Sequence, residues 1–377
     1  MVAATGVLRG RRRRVLDSTI LADAVATQDT VTQLVAAIRR VRRLVPQARA
    51  VEVGAHDDDR PGKPECAWDD PQATQALVSG LVNDALALLA AVSELDLEAE
   101  PAEAVALLAL VAGQDVEPGE RPGSWRIVRR VAHDRVISTV DPQARHARKT
   151  SAAKRDGYKA HLAAEPETGL VTACALTAAT AADGPTGVGL LAGEAPGLEV
   201  LGDSAYGGGA TRAALRAAEH VQTIKPLALA SAVPDGFTIH DFQIDQHAAT
   251  ASCPAGSTAK ITKSGQASFA RWCQRCPLRQ RCTSARGGRT IRVHPHEDEL
   301  RAARRRATTR SFQHSYRRWR PMVERSLAWL VADGCRRVPY RGIERNQAWW
   351  SVRVAAVNLR RLLVLGLARQ DGAWVLA

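Results

Sequence analysis

Aromatic side chains are scarce in this sequence, at 4% of residues, and half of that small stock is tryptophan, with 8 Trp against 4 Phe and 4 Tyr. Long uncharged apolar runs are scarce too. The N-terminus, "MVAATGVLRGRRRR", lacks the apolar stretch of a secretory signal. The most apolar C-terminal segment, "SVRVAAVNLRRLLVLGLA", is interrupted by Arg353, Arg360 and Arg361, so it cannot span a bilayer without burying charge. Seven cysteines in 377 residues are too few for a disulfide scaffold. Together these absences exclude a membrane span at either end and a secreted miniprotein, and they predict a cytoplasmic protein. What is abundant is arginine. Fifty-two Lys and Arg stand against 39 Asp and Glu, for a net charge of +13. The cations cluster at "RGRRRR", at "RRVRR" and above all between Arg301 and Arg345. Basic blocks of this density point to a polyanion, and nucleic acid is the leading partner.

A hydrophobic content of 45% is ordinary for a globular chain, and the length is enough to bury a large core. The pattern divides into five stretches. Residues 1–53 carry a short strand, "RVLDSTI", and an amphipathic helix from Ala24 to Leu44. Residues 54–120 open with a polar loop and continue as a strong helix, "ATQALVSGLVNDALALLAAVSEL", then an acidic stretch that reads as a surface linker. Residues 121–250 alternate strand and helix patterns, with "EPETG" as a hairpin turn, "PTGVGLLAGEA" and "TRAALRAAEH" as helices and "LEVLGD" as a buried strand. That order predicts a mixed α/β sheet flanked by helices. Residues 251–296 read as a cysteine-rich insert, and 297–377 as basic C-terminal helices.

Three acids stand out. Asp17 lies inside the apolar strand "VLDST", Asp203 closes "LEVL" and opens "GDSAYGGG", and Glu324 begins a helix among arginines in "RPMVERSLAWL". Ligand sites form at the carboxyl edges of such sheets, so an acid on a strand, one at a strand's end and one on a nearby helix are able to converge. Converging carboxylates repel one another and invite divalent cations. Two hard cations roughly 3.5–4 Å apart are the usual engine of in-line phosphodiester displacement. Each acid also has a plainer reading: a strand-end charge for Asp17, a turn former for Asp203, a helix-dipole partner for Glu324.

"VLDSTILADAVATQDTVTQLVAAIRR", "GYKAHLAAEPETGLVTACALT", "VLGDSAYGGG" and "YRRWRPMVERSLAWL" with "RRVPYRGIERNQAWWSVRVAAVNLRRLL" together resemble the DDE transposases of bacterial insertion sequences, in the branch whose last acid lies in a Tyr, Arg, Glu, Lys signature. The resemblance implies a ribonuclease H-like core and metal-dependent cutting and joining of element ends. The metal is Mg2+ or Mn2+, held by Asp17, Asp203 and Glu324. It makes Tyr316 and Arg320 the Tyr and Arg of the signature, touching phosphate near the cut. It also implies DNA with inverted terminal repeats as partner, a homodimer on that DNA, and a nucleoid-associated bacterial protein. The tyrosine stands one residue further from the arginine than in the usual pattern. Val331 stands where the signature's lysine is expected, with Arg325 or Arg336 as substitutes. These transposases carry a helical domain before the first acid, whereas only a basic leader precedes Asp17 here, so a truncated copy is the expectation.

Cys253, Cys273, Cys276 and Cys282 follow the spacing C-x19-C-x2-C-x5-C, which resembles a cysteine motif of the same transposases. Four thiolates are able to close a structural zinc site; as small buried hydrophobes they need none. In "RAARRRATTRSFQHSYRRWR", guanidinium groups of Arg317, Arg318 and Arg320 suit phosphates, and Phe312, Tyr316 and Trp319 suit unpaired bases; a solvated helix face is the alternative. Lys159 and His161 alternate on a strand, facing either DNA in the cleft or the sheet edge. His133, His146 and His314 have no ligand-like spacing. Two other functions fit the same pattern: a DNA-binding remnant without catalysis, and a metal-dependent nuclease that cuts without joining.

Overall fold

The computed structural model describes the chain except for residues 1–4, 55, 57–61, 129–131, 133, 149–153, 371–372 and 377. His133, the first residues of the basic leader and part of the loop expected over 54–71 therefore lie outside the described residues.

A single mixed sheet carries the architecture. Its central strand, β1 (Arg13–Ala22), is followed by a helical unit of α1 (Thr30–Leu44), α2 (Pro71–Val92) and α3 (Ala99–Gln114). Helix α1 is capped by Asp29, whose carboxylate accepts the Thr32 N–H at 2.9 Å; helix α2 is capped by Asp70 and begins at Pro71. Caps of this kind are each worth about 1 kcal/mol. The unit closes its own core from Leu34, Ile38 and Val41 of α1, Leu81, Ala85 and Leu88 of α2, and Leu108 and Val111 of α3. Helix α2 is long and apolar enough to cross a membrane, by length and composition alone. The acidic stretch expected as a linker is largely the start of α3. Glu100 sits in its first turn, where the helix dipole favours negative charge, and Ala104 and Leu107 are buried.

A short hairpin, β2 (Val116–Pro118) and β3 (Trp125–Ile127), leads back to the sheet strands β4 (Arg145–Arg148), β5 (Lys154–Ala164), β6 (Val171–Ala178), β7 (Glu199–Gly202) and β8 (Val221–Ile224). Strand β5 runs antiparallel to β1 on one side and pairs β4 and β6 on the other, while β7 and β8 lie parallel on the far side of β1. The "EPETG" turn joins β5 to β6: buried Glu165 accepts the N–H and hydroxyl of Thr168 at 2.8 and 2.7 Å. Gly157 makes the β1–β5 pairing possible. Its φ is +143°, and a Cβ there would stand 2.2 Å from the Leu21 carbonyl oxygen.

One face of the sheet carries α4 (Asp183–Leu190) and α5 (Gly209–Ala217), packed around Leu16, Val200 and Tyr206. After β8 comes the cysteine-bearing unit, built on β9 (Gln243–Asp245), β10 (Thr250–Ser252), β11 (Thr258–Lys260), β12 (Gln266–Ser268) and β13 (Thr290–Arg292) with short helices α6 (Ala270–Cys273) and α7 (Arg279–Cys282). It starts upstream of residue 251, because β9 pairs with β10. Helices α8 (Glu297–Ala307), α9 (Arg310–Trp319), α10 (Met322–Val331) and α11 (Ile343–Val364) follow. The C-terminal region is not wholly helical: a hairpin, β14 (Leu367–Gln370) and β15 (Ala373–Leu376), ends it. Val323 and Leu330 of α10 and Trp350, Val354 and Val357 of α11 pack with Val15, Leu21 and Leu162 on the sheet's second face.

The basic leader is only in part a free cationic surface: Arg9 and Arg12 are exposed, but others are engaged. Arg14 is 4% exposed and pairs with Glu194, while Arg13 reaches Glu199 at 2.9 Å and Glu167 at 3.1 Å. Charge counted from the sequence overstates what reaches the surface there.

Candidate active site

Strand alternation decides which way each residue of β1 points. Val15 and Leu21 enter the core under α10 and α11, and Leu16 the core under α4 and α5. Asp17 therefore faces the α10 side, where its side chain is nearly buried. Strand β7 runs parallel to β1 with Arg13 beside Glu199 and Val15 beside Leu201. Continued by two residues, that register sets Asp203 next to Asp17 on the same face. Asp203 lies just past β7, where its carboxylate accepts the Ala205 N–H at 2.9 Å and caps the turn Ser204–Tyr206. Glu324 comes from the other direction, in the first turn of α10, with 72% of its side chain exposed.

The three carboxylates meet at one cation. Arg320, one helical turn before Glu324, holds Nη2 at 3.2 Å from Asp17 Oδ2 and 3.7 Å from Asp203 Oδ2, and Nη1 at 3.8 Å from Glu324 Oε1. The sequence reading paired this arginine with phosphate; here it lies among the acids. Among the described residues no three His, Cys, Asp or Glu side chains stand in a metal-holding group, neither these acids nor the four cysteines. In donor chemistry the site still suits a hard divalent cation: all three groups offer anionic oxygen, from mid-strand β1, the end of β7 and the first turn of α10. Tyr316 lies beside the cluster. Burial pushes its phenol up from the ordinary range; Arg320 opposes that shift, and Asp203, Asp17 and Glu324 add to it.

The arginines named from sequence have their own surroundings, Arg325 lying over the Trp329 ring at 5.3 Å. Arg317, Arg318 and Arg325 are exposed. Trp319 is not free to meet a base: it packs partly into the core, with Arg318 and Arg13 over its ring at 4.4 and 4.9 Å. Phe312 and Tyr316 stack on each other with ring centres 5.8 Å apart. Arg336 donates to the hydroxyl of Thr19 at 3.4 Å, two residues along β1 from Asp17, so it rims the site.

Lys159 and His161 belong elsewhere. They pair with Ile20 and Ser18 across β1 and β5 and so share the α4 face, opposite to Asp17. There Asp183, the first residue of α4, accepts from Ser18 Oγ at 2.6 Å and Lys159 Nζ at 3.2 Å and lies 3.6 Å from His161 Nδ1. His161 Nε2 bonds Thr177 at 2.9 Å, and the ring is fully buried. Burial holds its pKa well below the usual imidazole value; Asp183 opposes the shift and Lys159 adds to it. Both side chains lie on the sheet face opposite to Asp17. His146 is likewise engaged, 2.6 Å from Asp156.

Sequence reasoning missed the parts that hold the Asp203 loop. Arg212, 2% exposed, donates to the carbonyls of Gly207 and Ile224 at 3.0 and 3.1 Å. Glu199 is desolvated, yet its pKa is lowered by hydrogen bonds from Ser315, Thr223 and Arg13, which ties α9 to β7 and β1. Ser315 and Arg13 reach Glu199 across 116 and 186 residues, so no spacing rule links them, whereas the partners of Arg212 lie only 5 and 12 residues away.

The four cysteines expected to act together do line one small cavity, with Phe269 and Trp272. No disulfide joins them. Burial raises the Cys282 thiol; Arg289 lowers it, and Cys273, Cys253 and Cys276 raise it further. Cys273 Sγ also accepts the Arg289 N–H at 3.3 Å.

Residues 249–363 match the family model described as a transposase DDE domain. The match spans the cysteine-bearing unit and Glu324 but not Asp17 or Asp203. It supports a DDE-type transposase. No curated protein and no solved structure matches the chain.

Proposed function

We propose that this chain is a DNA transposase that hydrolyses phosphodiester bonds at the ends of an insertion sequence and then joins the freed 3'-hydroxyl to target DNA. The observation that carries this reading is the convergence of Asp17, Asp203 and Glu324 on Arg320 in a chain whose residues 249–363 match a transposase DDE domain. The strand order, with β1 central between antiparallel β5 and parallel β7, supports a ribonuclease H-like core. Asp17, Asp203 and Glu324 would hold Mg2+ or Mn2+, which when bound supplies an activated nucleophile and neutralises the leaving oxygen. Exposed Arg317, Arg318, Arg325 and Arg336 hold the DNA phosphates over the acids, and their affinity falls with salt. Cys253, Cys273, Cys276 and Cys282 supply a donor set suited to structural zinc. A homodimer acting on inverted repeats near the nucleoid belongs to the same proposal.

The test is nicking of duplex DNA bearing the element's terminal repeats. Cutting that needs Mg2+ or Mn2+ and disappears in Asp203→Asn supports catalysis. DNA binding without cutting would leave a binding remnant. Cutting without joining of a pre-cleaved end would leave a nuclease.

A further inference from the structure

Arg320 differs from the buried Arg212 and the half-buried Arg353. Arg212 donates to the carbonyls of Gly207 and Ile224, and Arg353 to those of Leu330 and Trp329, each at 3.0–3.1 Å. These guanidinium groups are fastened by hydrogen bonds and serve as struts. Arg320 is 8% exposed, yet its Nε and Nη1 have no hydrogen-bond partner, and its three carboxylate contacts lie at 3.2–3.8 Å. Buried donors left unpaired are costly, so what keeps this group in place is charge: one cation against three carboxylates. A group held chiefly by charge, with only Nη2 within hydrogen-bond distance of a carboxylate, is replaceable by another cation. The way out is open as well, since the Asp203 and Glu324 side chains are 44% and 72% exposed. Its backbone lies at the junction of α9 and α10, just before Pro321.

We propose that Arg320 is a built-in counter-ion that occupies the place of the divalent cation, and that it withdraws from the acids when that cation binds. The inference rests on the reading of Asp17, Asp203 and Glu324 as the cation's ligands. It offsets part of the negative charge of the acid cluster, and it makes cation binding an exchange of one positive group for another.

The test follows Mn2+ binding to the full chain, without DNA, by the loss of the free-ion electron paramagnetic resonance signal. Removing a unit charge at this distance in Arg320→Gln is expected to tighten Mn2+ binding by at least roughly tenfold. Asp17→Asn is expected to abolish it in either background. A second measurement needs no variant: phenylglyoxal labelling of the wild-type chain, read by mass spectrometry, should spare Arg320 without Mn2+ and modify it at saturating Mn2+. Equal Mn2+ affinity in Arg320→Gln, or protection of Arg320 that persists at saturating Mn2+, overturns the exchange while leaving the acids as ligands. Mn2+ binding that ignores Asp17→Asn overturns both.

Discussion

Arg320 Nη2 lies 3.2 Å from Asp17 Oδ2, although 302 positions separate the two residues in the chain. The contact ties the helix carrying the last acid to the strand carrying the first. It also explains how three carboxylates share one corner of the fold without driving it apart, since each has the same cation within 4 Å.

Replacing Glu324 by Gln separates binding from chemistry. It removes a negative charge from a basic face, so affinity for DNA stays equal or rises, while cleavage falls by roughly a hundredfold or more because a cation ligand is lost. Filter binding and nicking assays on the same preparation check this. Equal cleavage by the variant would sink the assignment of Glu324.

Gly157→Ala strikes the pairing of β5 with β1. The added methyl meets the Leu21 carbonyl oxygen at 2.2 Å and the Asp23 nitrogen at 2.6 Å, both backbone atoms in the sheet's central pair. With φ at +143° strain adds to collision, and a loss of about 2–4 kcal/mol in urea unfolding is expected. A midpoint equal to wild type would show that the two strands can separate at no cost.

His161 predicts a pH dependence of stability. Its folded pKa is depressed by burial, so the native state keeps the ring neutral while the unfolded chain takes up a proton below about pH 6.5. The unfolded state then binds more protons, and stability falls as pH drops below that value. Asp183 and Lys159 face the ring throughout, and both remain in His161→Gln. That variant is expected to show a flatter decline of urea midpoint between pH 7 and pH 5. An unchanged slope would place the acid sensitivity elsewhere.

Zinc bound by Cys253, Cys273, Cys276 and Cys282 predicts about one zinc per chain in purified protein, measured by elemental analysis. A strong chelator should lower the melting temperature, and Cys276→Ala should reduce both the zinc content and the effect of the chelator. Zinc-free protein whose melting ignores the chelator would mean that the thiols serve the cavity only as small apolar groups.

The sequence by itself determined the elements, because their causes are local. Apolar spacing makes α1 and α2, an aspartate at the N-cap starts each, and a run such as "LEVL" has its stable place in a buried strand. The three acids stand out in the sequence for the same reason: each interrupts an apolar pattern or opens a turn or helix. Local pattern failed where charge was concerned. Arg14 and Arg317 look alike in a run of arginines, and only the fold puts one against Glu194 in the interior and leaves the other in solvent. For Lys159 and His161 the alternation leaves two faces open, and which one meets α4 is settled when β5 finds its register with β1. The counter-ion among the carboxylates belongs to this second kind of fact. Coulomb attraction acts through space, so the partners of Arg320 were decided by packing α10 onto β1.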